Sequence, residues 1–430
     1  VTDDHHHQQA KRTVDAVWRM ESAKVIAILT RLVRDVGLAE ELAQDALVTA
    51  LEQWPRDGVP DKPAAWLVAT AKHRAIDRIR REQMQARKHE EIGRELLEEE
   101  QAMPDFDSAL DDDIGDDLLR LIFISCHPVL SKEARLALTL RLLGGLTTDE
   151  IARAFLAPEP TIAQRIVRAK RTLTEARVPF EVPRGEERAV RLSSVLEVLY
   201  LIFNEGYSTT AGDDWMRPAL CEEALRLGRV LAGLAPDDPE VHALIALMEL
   251  QASRTAARVA PDGEPILLLD QNRARWDQLL IRRGLAALQR AEALGGTLGH
   301  YALQAAIAAC HARARAAADT DWTRIAALYD ALAQVSPSPI VELNRAVAVS
   351  MAFGPAAGLE LVDALRDDPA LRHYHLLPSV RGDLLFKLGR HDEAREEFQR
   401  AALMTRNERE RRLLLDRAAR STGGTGARLQ

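Results

Sequence analysis

The sequence predicts an all-α protein: two small helical domains, the second with a helix-turn-helix, joined by an acidic linker and followed by a large helical-repeat-like domain. Three observations predict it. Ala, Leu and Arg dominate while aromatic residues make up only 4% of the 430, a mixture that favours helices over sheets. Apolar residues recur at three- and four-residue spacing in one segment after another. The apolar content of 47% is enough for several cores, in a length that at roughly 100–200 residues per domain accommodates two to four of them.

The elements follow in order. Residues 11–55 read as helices, with Val25, Ile28, Leu29, Leu32 and Val33, then Leu42, Ala46, Leu47, Ala50 and Leu51, at helical spacing. Pro, Asp and Gly are dense from Pro55 to Pro63, which reads as a loop. A helix from Ala64 to about Lys88 sets Trp66, Leu67, Ala71, Ile76 and Ile79 against a basic face. Together these form a first domain over 11–90. A linker over 91–116 contains Met103-Pro104-Asp105-Phe106-Asp107 and the triple Asp111-Asp112-Asp113, dense like charge that predicts an extended tether. A second small domain over 117–182 has helices at Leu118–Cys126, Lys132–Leu143, Thr148–Phe155 and Thr161–Glu175. The third domain fills 190–420. Near its end, Gly382, Leu385, Gly389, Ala394, Phe398 and Ala401 fit the small/large spacing of a tetratricopeptide helix pair, with an echo at Ala346, Val349 and Gly358. Gly423, Gly424 and Gly426 mark a frayed tail. The run His5-His6-His7 is given no function.

The formal net charge of -8 argues weakly against nucleic-acid binding, but the charge map outranks the sum. Lys72 to Lys88 holds seven basic and two acidic residues, and His89 to Asp117 holds thirteen acidic and one basic. The acidic stretch conceals the basic one in the total. It reads either as a solvated linker or as a phosphate-backbone mimic that masks a basic face.

The strongest physical signal is the helix pair around Leu156–Pro160. Thr147 or Thr148 is placed to cap the first helix, with Glu150 or Ile151 in its N3 region, and Ile151, Ala152 and Phe155 face inward. Pro160 suits the first turn of the second helix. There, Ile162, Ile166, Ala169 and Leu173 form a buried stripe, leaving Thr161, Gln164, Arg165, Arg168 and Arg171 elsewhere on the circumference. Gln pairs with adenine and Arg with guanine in the major groove, while Arg168, Lys170 and Arg171 suit phosphate contacts. The plain alternative is an ordinary amphipathic helix. The second signal is the basic helix Lys72–Arg81, which reads either as a solvated face or partner surface, or as a contact to a second DNA segment. Two DNA-contacting modules on a tether suit two separated promoter boxes.

With these motifs in view, residues 1–180 resemble an extracytoplasmic-function RNA polymerase sigma factor, in the group bearing a long C-terminal helical extension. Glu40–Ala46 with Ala50, Leu51 and Trp54 is similar to sigma region 2.1–2.2. In the family that surface docks on the coiled coil of the polymerase beta-prime subunit, a role the resemblance gives to Glu41, Gln44 and Asp45. Pro63–Arg81 looks like regions 2.3–2.4, which hold the single-stranded -10 element. The resemblance thereby implicates Trp66, Lys72, Arg74, Asp77, Arg78, Arg80 and Arg81 in strand capture, by stacking and backbone contacts. Leu118–Leu173 resembles region 4, whose last helix reads the -35 element and which would meet the polymerase beta flap. Thr161, Gln164, Arg165, Arg168, Lys170 and Arg171 are its expected contacts. Regions 1.1 and 3 are without counterparts. Leu201–Tyr207, Asn272–Asp277 and Pro378–Ala401 support the match in the extension. In the family that extension is thought to regulate the sigma core, so a protein or small-molecule regulator is a further expected partner.

Other chemistry finds little support. Three scattered cysteines make no disulfide framework, and Cys126-His127-Pro128 falls short of a zinc site, which needs about four ligands. No phosphate-cradling loop or nucleophile elbow is found, so the sequence predicts no enzyme, no metal and no cofactor. Neither a membrane-spanning run nor a signal segment is found, which predicts a cytoplasmic protein. Asn204-Glu205-Gly206-Tyr207 reads as a helix end packed on a neighbour or as part of a ligand pocket. The competing functions are a conventional helix-turn-helix regulator with a C-terminal sensor domain and a helical-repeat interaction scaffold.

Overall fold

Helix α1 (Thr2–Val33) carries Val25, Ile26, Ala27, Ile28, Leu29 and Thr30 in its second half, and all six are buried. A helix sequestered all round needs neighbours on every side. α1 packs on α2 (Val36–Asp57), α4 (Asp112–Ser125) and α5 (Lys132–Leu142). The computed structural model describes residues 2–63, 65–76, 112–155, 157–207, 216–260, 266–405 and 407–422. The fold is all-α.

Local chemistry sets the helix ends. α1 closes at Arg34, which takes a positive φ of 53°, and Asp35 caps α2 by accepting from the Leu38 N–H at 2.8 Å. Leu32, expected in the apolar stripe, is instead 41% exposed; it stands in the last turn of α1, where the chain changes direction. Pro55 lies inside α2 rather than after it; the helix runs on to Asp57 and closes at Gly58 with φ 87°. Helix α3 covers residues 65–76. The Met103–Asp107 segment of the expected tether lies outside the described residues. From Asp112 the chain is helical, earlier than the expected Leu118.

α6 (Thr148–Ala154), α7 (Glu159–Glu175) and α8 (Gly185–Tyr207) follow. The four expected stripe residues of α7, Ile162, Ile166, Ala169 and Leu173, are all buried. The start of α8 is tied back to the α4–α5 corner. Ser194 donates to the Cys126 carbonyl at 2.7 Å, and the Arg135 guanidinium lies 3.2 Å from Glu197. Cys126 is buried with its sulfur 3.3 Å from the Thr139 hydroxyl, and burial pushes its thiol up to about 11. His127 accepts from the Val129 N–H at 3.1 Å, so this pair acts in local structure.

The chain divides into two compact units, residues 1–198 and 199–430. The second is organised around α10 (Pro239–Ala252), apolar on nearly every face, which packs on α9 (Pro218–Leu234), α11 (Gln278–Ala293) and α12 (His300–Arg313). α13 (Trp322–Val335), α14 (Pro339–Phe353), α15 (Pro355–Ala364), α16 (Leu376–Lys387), α17 (His391–Met404) and α18 (Glu408–Thr422) then pack each on the next. Glycines set two of these approaches. A Cβ on Gly382 would come within 2.9 Å of the Phe398 ring, and one on Gly358 within 2.4 Å of the Ser350 Cβ. Cys221 and Cys310 are buried helix residues. The glycine-rich tail beyond Thr422 lies outside the described residues. Among the described residues no helix is long and apolar enough to cross a membrane.

Candidate functional site

The α6–α7 pair is built from reciprocal caps. The Glu150 N–H donates to the Thr147 hydroxyl at 3.1 Å, and the Thr147 N–H donates to the Glu150 carboxylate at 2.9 Å. Two otherwise orphaned donors are satisfied before α6 begins. Pro158 and Pro160 bracket the start of α7, where the Thr161 N–H turns back to the Pro158 carbonyl at 2.9 Å. With the apolar stripe turned inward, Thr161, Gln164, Arg168 and Arg171 stand exposed at steps of three and four residues, and Arg165 is half-buried beside them. Together with Ser131 and Glu133 at the start of α5, Thr161, Gln164, Arg165 and Arg168 line a groove of about 440 Å³. The Glu133 carboxyl is held below its ordinary value by its own backbone N–H and by Ser131, with Arg165 adding attraction. Arg171 is engaged along its own helix with Glu175 at 2.6 Å.

Two residues depart from expectation on this helix. Val167, not singled out in the sequence, is 63% exposed between Gln164 and Arg168. An apolar side chain in that position matches the thymine methyl group in a major groove. Its signal was available: a large apolar residue off the buried stripe of a helix otherwise strongly amphipathic. Lys170, expected among the phosphate contacts, is turned the other way. Its ammonium is bound to the buried Glu40 carboxylate of α2, which also accepts from Arg141 Nε at 2.7 Å. The reason is angular: Lys170 follows the buried Ala169, on the side of α7 that packs against α2. Burial works to raise the Glu40 pKa, but the Lys170 and Arg141 charges outweigh it and hold the carboxyl below its ordinary value. The same side of unit one is joined at two further points. Arg31 Nε lies 3.1 Å from the fully buried Asp117 carboxylate, and the Thr174 hydroxyl donates to Asp35 at 3.0 Å.

On α2, Glu41, Asp45 and Val48 form an exposed face with Gln44 half-buried among them. Asp45 faces α3: the Arg74 guanidinium lies 3.3 Å from its carboxylate and donates to Thr49 at 2.7 Å. Trp66 of α3 meets the buried Trp54 edge to face, with centroids 5.4 Å apart. Lys72 is half-buried on the same helix. The structure therefore brings Trp66, Lys72 and Arg74 onto one short helix and sets Arg74 against Asp45. Asp77, Arg78, Arg80 and Arg81 lie outside the described residues. Among the described residues no group of three or more His, Cys, Asp or Glu is placed to hold a metal ion.

Comparison with known proteins divides the chain in the same sense. Residues 18–84 match the model of Sigma-70 region 2 and residues 120–173 that of Sigma-70, region 4. Residues 191–292 match a family of unknown function, DUF6596. An uncharacterized protein of Rhizobium meliloti (strain 1021) is 43% identical over 386 residues, spanning 89% of this chain and 90% of its own. The ECF RNA polymerase sigma factor SigK of Mycobacterium sp. (strain KMS) is 31% identical over 166 residues, 37% of this chain and 81% of its own. The SigK protein of Mycobacterium ulcerans (strain Agy99) is 31% identical over 157 residues, 35% and 78% respectively.

Proposed function

The chain belongs to the ECF RNA polymerase sigma factors, and from that premise we propose that it binds core RNA polymerase and directs it to promoters through two DNA-reading modules. In this reading residues 11–90 are the region 2 domain and 117–182 the region 4 domain. A linker over 91–116 joins them, and 190–420 form a regulatory helical extension with tetratricopeptide-like pairs. The observation that carries the reading is α7, with a wholly buried apolar back and an exposed front of Thr161, Gln164, Arg168 and Arg171. We read α6–α7 as a helix-turn-helix and α7 as the element that enters the major groove at the -35 box. Gln164 and Arg165 read bases, Val167 meets a thymine methyl, and Arg168 and Arg171 hold phosphates. The exposed α2 face of Glu41, Gln44 and Asp45 docks on the beta-prime coiled coil. Trp66, Lys72 and Arg74, continued by Asp77, Arg78, Arg80 and Arg81, hold the -10 strand. The polymerase performs the chemistry; this subunit selects the site.

Promoter geometry adds a requirement. The -10 and -35 boxes lie roughly 25 base pairs apart, or about 85 Å at 3.4 Å per pair. Helix α7, at 17 residues, is about 26 Å long and is fastened to α2 through Lys170 and Glu40. The closed arrangement cannot span both boxes. Binding at the promoter separates α2 from α7, breaks the Glu40 contacts and frees Lys170 for DNA. The test of polymerase binding is direct: the chain mixed with sigma-free core polymerase should co-elute as a complex. A folded chain that elutes apart from the core refutes the reading.

A further inference from the structure

Unit two contains a cavity of about 540 Å³ walled by α8, α10, α12, α13 and α14, within the size range of sites that enclose small ligands. Its walls are of two kinds. Leu247, Ile307, Leu332 and Val341 supply an apolar side. The lining also holds a polar chain, in which the Tyr200 hydroxyl donates to Gln304 at 3.0 Å and Gln304 lies 2.9 Å from the His300 ring nitrogen.

Three buried polar atoms at this cavity have no hydrogen-bond partner among the described residues: Arg254 Nε, Gln251 Oε1 and His311 Nδ1. His311 is only 8% exposed, and burial together with Arg254 and Arg273 pushes it down to about 4, so the ring is neutral at pH 7. His300 is likewise lowered by burial. Among the described residues no Asp or Glu lines the cavity, and Arg254 is the formal charge they place in its wall. Buried polar groups in folded proteins are nearly always paired, so a cluster of three unpaired ones facing a cavity calls for an occupant.

The setting of Arg254 is constructed. Its guanidinium carbon lies 5.6 Å from the Tyr207 ring and 5.8 Å from the Trp276 ring. Neighbouring Arg273 is consumed by structure, donating to the carbonyls of His311 and Ala314 at 2.6 and 2.9 Å and to Thr320 at 2.8 Å. Two sequence segments of the extension that promoter reading leaves unexplained, 204–207 and 272–277, thus converge here. Asn204 lines the cavity, while Tyr207 and Trp276 flank its cation.

We propose that this cavity is a binding site for a small hydroxy-carboxylate with an apolar body. The carboxylate is held by Arg254, a hydroxyl donates to Gln251 Oε1 or His311, and the body lies against the aliphatic wall. An anion supplies the missing counter-charge. A hydroxyl supplies the donor that an unpaired carbonyl oxygen demands. The preformed Tyr200–Gln304–His300 chain lowers the ordering cost of binding.

The experiment is calorimetric titration of the full chain with 4-hydroxybenzoate, 4-hydroxyphenylacetate and 4-hydroxycinnamate, each beside its uncharged amide. At least one acid should bind saturably at one site, and its amide should bind more weakly. Arg254→Gln should weaken the acid roughly 10- to 100-fold, the scale of one charge-assisted hydrogen bond, while Arg254→Lys retains part of the affinity. Should Arg254→Gln fail to fold, Gln251→Glu serves in its place: a carboxylate there should expel the acid. The proposal is overturned if no acid in the panel binds, if acid and amide bind alike, or if the folded variant binds as the parent does. No polymerase enters the measurement, so its outcome and that of the sigma reading are separable.

Discussion

Glu40→Gln is the substitution that bears most on how this chain holds itself closed. The change is isosteric, so packing is preserved while the charge is removed. Glu40 is 4% exposed and bridges Arg141 and Lys170. After substitution two cations face each other across an amide. Hydrogen bonds to charged groups contribute about 1.5–3 kcal/mol each, and removing one partner from a buried pair costs about 3–5 kcal/mol. Arg141 and Lys170 keep 19% and 20% of their side-chain surface in water, which relieves part of that cost. The expected loss is about 2–3 kcal/mol. Hydrogen exchange on the full chain reads it locally: amides of α2 and α7 that exchange by separation of the two helices should speed up roughly 30- to 150-fold. The pH dependence has a definite sign. The folded-state pKa of Glu40 is lowered from 4.5, so its contribution is fully present above 4.5 and is lost as pH falls through the lower folded value. The gap between parent and variant should therefore close in acid. Unchanged exchange in α2 and α7 at neutral pH would show that Glu40 does not fasten them.

Further outcomes follow from the same contacts. Asp45→Arg should abolish binding to core polymerase in a pull-down yet shift stability by no more than about 1 kcal/mol, since the Asp45–Arg74 pair is about half exposed on both sides; intact polymerase binding would remove Asp45 from the docking face. Arg165→Ala and Val167→Ala should each relax selectivity in binding to mutated -35 DNA, whereas Arg168→Ala should weaken all sequences alike and reduce the salt slope. Equal effects of all three on every sequence would argue against base reading by α7. Gly382→Val should lower the stability of the second unit by about 1–3 kcal/mol, because its Cβ would meet Phe398 at 2.9 Å. A thermal melt indistinguishable from the parent would show that the α16–α17 contact gives way freely.

What could be read from the sequence was local and periodic. The α7 stripe follows from spacing alone; for the α6 cap the spacing left Thr147 or Thr148 open, and the structure takes Thr147 with Glu150. The tie from Lys170 to Glu40 was not legible because the two lie 130 residues apart; no helical pattern shows which distant carboxylate a lysine meets in the closed arrangement. The Arg74–Asp45 pair was hidden for the same reason, although each residue was singled out separately. Leu32 satisfied the apolar spacing of α1 but stands in its final turn, where exposure depends on what the chain does next. The cavity in unit two draws its lining from five helices between Tyr200 and Asn344. Only Asn204–Tyr207, a polar and aromatic cluster at the end of an apolar run, pointed toward it.

We propose above all that this chain programs RNA polymerase to start at chosen sites. Single-round transcription by sigma-free core polymerase on a genomic promoter library, with and without the chain, measures that most directly. Transcripts with fixed start sites should appear only with the chain and share two upstream boxes. A folded chain that yields no specific transcript across the library would contradict it.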